Sequence, residues 1–227
     1  MSFTQEIRQK ADHIWQASFD HPFVKGIGDG TLSLEQFRFY VMQDAYYLTH
    51  FAKVQALGAV KATDLHTTNR LAIHAQGTYE AELGLHQGFA ELLHITEEDV
   101  AAFEPAPTAY AYASHMYRAG QGSLGDVIAG LLPCYWLYYE IGERLKMCSP
   151  DEPIYQQWIA TYGGEWFREL VEEQIERLDE LAVKASEQDR ERWLTHFLIS
   201  SQYEYAFWEM AYTLEQWPVA NPDLLKK

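Results

Sequence analysis

Apolar residues recur at three- and four-residue steps along most of this chain, and that spacing constrains its fold most. The steps are clear in residues 39–57 and again in residues 83–93. A period near 3.6 is typical of helices that bury one face, whereas half-buried strands alternate every second residue. No alternating pattern of that kind stands out. We therefore expect an all-α fold, a multi-helix bundle.

Helix start and stop signals divide the periodic stretches. Residues 33–36 and 149–152 fit a capping box, and residues 96–99 place acidic groups in a first turn. The glycines of residues 26–30 indicate a turn, and Gly163 with Gly164 interrupts a helix. The helices expected from these signals span residues 4–19, 34–62, 65–94, 97–103, 107–119, 123–147, 152–162, 165–184 and 188–215.

Length and composition favour one domain. The chain has 227 residues, of which 48% are apolar, so it can bury a large core. No linker, repeat or low-complexity segment interrupts it. We expect a single helical domain over residues 1–227, with residues 216–227 forming a C-terminal tail.

The charge balance disfavours anionic partners. There are 33 acidic and 17 basic side chains, which give a formal net charge of −16. Such a field repels phosphate backbones and anionic lipid surfaces, and no long basic cluster offsets it. Nucleic acid and membranes are therefore not expected partners.

Several features point to the cytoplasm. The first ten residues lack the apolar stretch of a secretory signal. The most apolar run, residues 128–139, is shorter than the ~20 residues of a membrane span. Only two cysteines are present, too few for a disulfide framework and too far apart for a metal-type pair.

Cys134 lies in a segment that is apolar on nearly every face, next to Pro133, whose kink in the helix could open a pocket wall beside the thiol. Free cysteine is often simply a small buried residue, which is the plainer interpretation of this position. Tyr138 follows four residues later, so its phenol shares a helix face with the thiol.

Two acidic residues lie on otherwise apolar helices. Asp44 is three residues before Tyr47 and projects from the same side, either into solvent or into the core with a partner. Glu204 is flanked by aromatic residues, where burial would raise its pKa and make it a general acid near neutral pH. A structural, paired glutamate explains the same pattern.

Other polar residues gave weaker signals. Tyr112 and Tyr162 lie near helix breaks, where a phenol can reach a cleft, although most tyrosines fill cores. A single Glu-x-x-His spacing at residues 91–94 is too little for a di-iron site. No recognisable ligand spacing joins His66, His74, His86 and His115. They are expected on the polar surface or hydrogen-bonded in the core, and no metal is expected.

Five ordered segments of the chain resemble the TenA family of thiaminases II. They are residues 26–32, 41–51, 132–140, 161–167 and 201–208. The resemblance covers nearly the whole chain. It implies a fold like that of haem oxygenase without haem, a homotetramer and no cofactor.

The resemblance also implies an activity. The expected reaction is hydrolysis of 4-amino-5-aminomethyl-2-methylpyrimidine to the hydroxymethylpyrimidine and ammonia in thiamin salvage, with cleavage of thiamin as a second activity. The residues implied are Cys134 as nucleophile, Glu204 as proton donor, Tyr47 as the residue that activates the cysteine, and Asp44, Tyr138, Tyr112 and Tyr162 around the substrate.

The residue types suit this chemistry. A protonated pyrimidine accepts a nucleophile readily, so an acid and a thiol are complementary. Two alternatives remain: a helical oxidase or oxygenase of the same fold, and a non-catalytic thiamin-related binding or regulatory protein.

Overall fold

A computed structural model describes residues 1–219, with the side chains of residues 81–87 excepted. Within that part, the chain forms helices and no strands. The helices are α1 (Phe3–Phe19), α2 (Pro22–Asp29), α3 (Leu34–Lys61), α4 (Leu65–Leu92), α5 (Glu97–Ala101), α6 (Pro107–Gly120), α7 (Leu124–Leu145), α8 (Pro153–Tyr162), α9 (Glu165–Lys184) and α10 (Glu187–Thr213). The all-α expectation is confirmed. The expected tail lies mostly outside the described residues.

The helix α2 was missed by the sequence interpretation, which took residues 26–30 for a turn. Pro22 begins this helix behind a cap in which His21 Nδ1 accepts from the Phe23 amide at 3.1 Å. Gly26 lies inside the helix. Glycine is favoured at this position because a Cβ there would lie 3.0 Å from Leu32. Only Gly30, with φ of 71°, makes the expected left-handed stop. The glycines thus serve close packing as well as a turn.

Of the three helix starts predicted from N-terminal signals in the sequence, two have a side-chain cap in the structure. Ser33 and Thr96 both form reciprocal capping boxes. The capping box expected at residues 149–152 is wrong, because α8 begins at Pro153 and Glu152 makes no side-chain cap. Proline at the first helical position is favourable without such a cap.

The helix α7 lies at the centre of the bundle. It contacts α3, α6, α8, α9 and α10, and its residues from Gly125 to Pro133 are all buried. The long helices α3 and α4 pair with each other across a short connection. Because Cys134 belongs to α7, its side chain is placed among the elements that surround that helix.

Two glycines allow α7 to approach the junction of α8 and α9. A Cβ on Gly142 would lie 2.4 Å from the backbone nitrogen of Gly163 and from the carbonyl carbon of Tyr162. Backbone is therefore packed directly against backbone here. This contact fixes where α8 ends, and so where Tyr162 is held.

Candidate active site

A cavity opens between α3, α4, α7 and the α8–α9 junction. Four residues expected at the site line it: Asp44, Cys134, Tyr138 and Tyr162. The rest of its wall is mainly apolar and aromatic, formed by Leu48, Phe51, His74, Gly77, Thr78, Tyr135, Thr161, Trp166, Phe167 and Leu170. Such a wall suits a flat, aromatic ligand.

The two residues of α7 that line the cavity lie four positions apart. Cys134 is partly buried, and Tyr138 is buried at 4% exposure. Tyr138 packs against Tyr162 with ring centroids 4.8 Å apart. The Tyr138 hydroxyl accepts a hydrogen bond from Tyr40, which in turn accepts one from the Trp158 indole, both at 3.3 Å. These contacts hold the rings of this wall in fixed orientations.

Glu204, Tyr112 and Tyr47 form a second layer behind the cavity wall. None of the three lines the cavity, and their exposures are 2%, 1% and 3%. Tyr112 donates a hydrogen bond to Glu204 Oε1 at 2.5 Å, and its ring packs on Tyr47 with centroids 4.8 Å apart. The expected residues are therefore brought together, but in two layers.

Glu204 is a carboxylic acid near neutral pH. Burial raises its pKa to about 8, against the lowering effect of the Tyr112 hydrogen bond, and the charge of Asp44 raises it further. A carboxyl that keeps its proton at pH 7 can donate it. This agrees with the effect of burial expected from the sequence.

The Cys134 thiol is also neutral in the resting protein. Burial raises its pKa well above the usual value, and the charges of Glu204 and Asp44 add to this effect. Tyr47 acts in the opposite direction and lowers the pKa, as expected of a residue that activates the thiol. No described residue, Cys134 included, makes a well-formed hydrogen bond with the buried Tyr47 hydroxyl. The effect of burial on the pKa outweighs the effect of Tyr47, so the resting sulfur is not a thiolate.

The helix α4 forms a wall of the cavity that the sequence interpretation missed. His74, Gly77 and Thr78 come from this helix. His74 was expected on the surface or hydrogen-bonded in the core; it is buried, at 3% exposure, and hydrogen-bonded to Tyr135. Spacing alone could not place it, because its partners lie on other helices.

Metal ligation has no obvious place in this arrangement. Among the side chains that the structure describes, no group of three or more His, Cys, Asp or Glu residues is placed to hold a metal ion. Likewise, no helix within residues 1–219 is long and apolar enough to cross a membrane.

The fold and the cavity define a class of protein: a helical bundle with an aromatic-walled cavity, a thiol on the cavity wall and a protonated carboxyl buried behind that wall. Residues 8–214 match the family model described as the TENA/THI-4/PQQC family. The chain belongs to this family.

Three proteins illustrate the similarity. An aminopyrimidine aminohydrolase of Bacillus subtilis is 60% identical over 218 residues, which cover 96% of this chain and 92% of that protein. A TenA homologue from P. horikoshii superposes with a TM-score of 0.87 at 30% identity, covering 94% of this chain and 99% of that one. A Shewanella denitrificans domain with a heme oxygenase-like fold gives a TM-score of 0.72 at 18% identity, with coverages of 93% and 92%. The haem-oxygenase-like fold is thereby confirmed.

Proposed function

We propose that this chain is an aminopyrimidine aminohydrolase of thiamin salvage. Its substrate is 4-amino-5-aminomethyl-2-methylpyrimidine, and its products are the hydroxymethylpyrimidine and ammonia. One observation carries the proposal: a thiol on an aromatic cavity wall, with a protonated carboxyl buried behind it. The 60% identity to a protein named for this activity supports it. Thiamin, which has a leaving group on the same methylene carbon, is a second substrate.

The pyrimidine ring binds between aromatic side chains. Tyr138 and Tyr162 flank the cavity near Cys134 and hold the ring by stacking or edge contacts. The Asp44 carboxylate lines the same cavity and accepts hydrogen bonds from the exocyclic amine. Tyr112 contributes indirectly, since its hydroxyl orients Glu204. Binding thus places a ring carbon beside the sulfur.

The catalytic groups act as a pair. Glu204 protonates a ring nitrogen, which makes the pyrimidine electron-poor enough to accept the sulfur of Cys134. The C–S bond forms as the thiol loses its proton, to the departing amine or, with thiamin, to solvent water. The leaving group then departs from the methylene with its bonding electrons. Water adds to that methylene, and the sulfur is expelled again. Tyr47 assists the first step by stabilising the developing thiolate.

Substitution of the nucleophile tests the proposal. Cys134→Ser is expected to reduce release of hydroxymethylpyrimidine by about a thousandfold or more, because a serine hydroxyl is a far weaker nucleophile. The matched control is Cys148→Ser, since Cys148 does not line this cavity. The assay is chromatographic detection of the product from purified protein. Wild-type-like turnover by Cys134→Ser would contradict the nucleophile.

Experiments on the same purified protein distinguish the proposed hydrolase from the two alternative functions. A helical oxidase or oxygenase would require a redox group, visible as an absorbing cofactor in active protein. A binding or regulatory protein would bind the aminomethylpyrimidine in calorimetry without releasing product. A competition assay between the aminomethyl compound and thiamin identifies the preferred substrate.

The assembly and location are part of the proposal. We expect a cytoplasmic homotetramer. Apolar side chains exposed on α3 and α4 in the single chain, such as Val60 at 83% and Leu65 at 84%, are available for burial between copies. Sedimentation equilibrium at micromolar protein distinguishes a tetramer from smaller assemblies.

A further inference from the structure

A chain of buried hydrogen bonds runs behind the α4 side of the cavity, and none of the roles assigned above uses it. Thr78 Oγ1 donates to Gln55 Oε1 at 3.0 Å, and the Gln55 amide donates to the Tyr135 hydroxyl. Tyr135 lies 3.0 Å from His74 Nδ1. His74 Nε2 lies 3.2 Å from Glu173 Oε2.

Every donor in this series of hydrogen bonds points toward Glu173. Because Gln55 donates to the Tyr135 oxygen, the tyrosine proton is directed at His74 Nδ1, which must then be an acceptor. The histidine proton therefore lies on Nε2 and faces Glu173. The Gln174 amide is also close, with its Nε2 3.2 Å from His74 Nε2. Turning this amide by 180° places its oxygen there as a second acceptor for the Nε2 proton.

Glu173 remains ionised at the far end. Burial alone would raise its pKa, but hydrogen bonds from His74 and Arg70, with a further bond from Arg177, hold the pKa well below its usual value. The Glu173 carboxylate orients the ring through Nε2, so that Nδ1 faces the Tyr135 hydroxyl as an acceptor.

The proposed reaction needs such an acceptor. Water must lose a proton when it adds to the methylene carbon. Cys134 is bound to the ring at that stage. Glu204 does not line the cavity, and its partner in the reaction is the ring nitrogen. Tyr135 is adjacent to Cys134 in the chain, lines the cavity and is hydrogen-bonded to a buried histidine.

We infer that Tyr135 is a further catalytic residue, which takes a proton from the attacking water and passes its own to His74. The inference rests on the proposed function. His74 acts through Tyr135, and Glu173 positions His74.

The step balances in protons and electrons. The water oxygen forms a C–O bond to the exocyclic methylene, and the electron pair of the C=C bond returns to the ring. One water proton moves to the Tyr135 oxygen as the Tyr135 proton moves to His74 Nδ1, which leaves imidazolium beside the Glu173 carboxylate. When the C–S bond breaks, Glu204 recovers its proton from the ring nitrogen. The relay then returns its proton through Tyr135 to the Cys134 sulfur.

Substitution of Tyr135 separates the two halves of the reaction. In Tyr135→Phe, leaving-group release depends on Cys134 and Glu204 and stays fast, whereas water addition slows. Rapid-quench measurement is expected to show a burst of ammonia, or of thiazole from thiamin, equal to one per active site. Steady-state formation of hydroxymethylpyrimidine is then about 100-fold slower or more. Azide, which carries no proton to remove, is expected to restore turnover and to form azidomethylpyrimidine.

A second variant keeps the hydrogen bond but removes the base. In His74→Asn, the amide oxygen accepts from Tyr135 in place of Nδ1 without accepting a proton, so the same burst and the same azide rescue are expected. Tyr155→Phe is the control, because it removes a buried hydroxyl that donates to Leu32 O at 2.8 Å, away from the cavity. It should turn over like wild type.

The experiments distinguish failure of the proton relay from failure of the proposed function. Equal slowing of leaving-group release and product formation in Tyr135→Phe, with no burst and no rescue by azide, would overturn the relay, as would wild-type kinetics in His74→Asn. Absence of turnover in the wild-type protein would instead refute the proposed function.

Discussion

Burial of Glu204, the proposed proton donor, couples its protonation to the stability of the fold. Its carboxyl is 2% exposed, and burial raises its pKa to about 8 from an ordinary value of 4.5. The folded state therefore binds this proton more tightly than the unfolded state does. The resulting stabilisation is complete below pH 4.5 and is lost as the pH rises to about 8.

Glu204→Gln removes this pH dependence. Between pH 4.5 and 8, the free energy of unfolding of wild type should fall relative to that of the variant, by at most about 5 kcal/mol. Denaturant titrations across the range measure the difference. Glu176→Gln, a change at the exposed surface, is the matched control and should follow wild type. A constant difference between wild type and Glu204→Gln would refute the raised pKa.

The Cys134 thiol should react slowly in the resting protein. Burial raises its pKa, and only the thiolate attacks an alkylating reagent. At pH 7 we expect iodoacetamide to modify it about tenfold or more slowly than free cysteine, with the rate still rising above pH 9. Tyr47→Phe should slow it further. Peptide mass spectrometry follows the reaction, and a rate that levels off near pH 7 would show that the thiol is already ionised.

At the scale of the helix, the approach of α7 to the α8–α9 junction positions the cavity wall. Gly142→Ala places a methyl group 2.4 Å from backbone atoms of Tyr162 and Gly163, so α8 must move. Overpacking of this kind typically costs about 1–3 kcal/mol of stability. Because Tyr162 moves with α8, KM for the aminomethylpyrimidine should rise as well.

Gly88→Ala is the control for Gly142→Ala. The nearest side-chain atom to its added Cβ is 3.6 Å away, an ordinary contact, so helix propensity should stabilise this variant by about 0.5–1 kcal/mol. Thermal unfolding and steady-state kinetics on both variants test the pair. A Gly142→Ala protein with unchanged melting temperature and KM would show that the junction is free to move.

Sequence periodicity predicted nine of the ten helices within residues 1–219 because it records which face of a helix is apolar. It failed at α2, where the glycines at 26 and 28 resemble turn residues but are there because Leu32 and Leu145 pack too closely for a side chain. It also could not reveal the wall contributed by α4. His74 is joined to Tyr135 and Glu173 only after α4, α7 and α9 pack, and no spacing along one helix records such contacts.

At the scale of the whole molecule, the sequence allowed a prediction of the site residues but not of how deeply each side chain is buried. Cys134 and Glu204 were expected as partners, and the fold brings both to one site on α7 and α10. Their separation into a cavity wall and a buried second layer depends on how α6 and α10 pack against α7. That packing also determines both raised pKa values, because burial is the largest cause of each.

The net charge of −16 should affect how fast substrates arrive. Thiamin carries a fixed positive charge, so a negative protein attracts it over distances comparable to the Debye length of about 10 Å at 0.1 M salt. We expect kcat/KM for thiamin to fall about three- to tenfold between roughly 10 mM and 300 mM salt, while kcat stays constant. Stopped-flow and steady-state assays at several ionic strengths measure this dependence on salt.

An uncharged pyrimidine inhibitor is the control, since its binding has no such attraction to lose. If thiamin and the neutral inhibitor respond equally to salt, then salt acts on the folded site itself, and the surface charge does not steer the substrate.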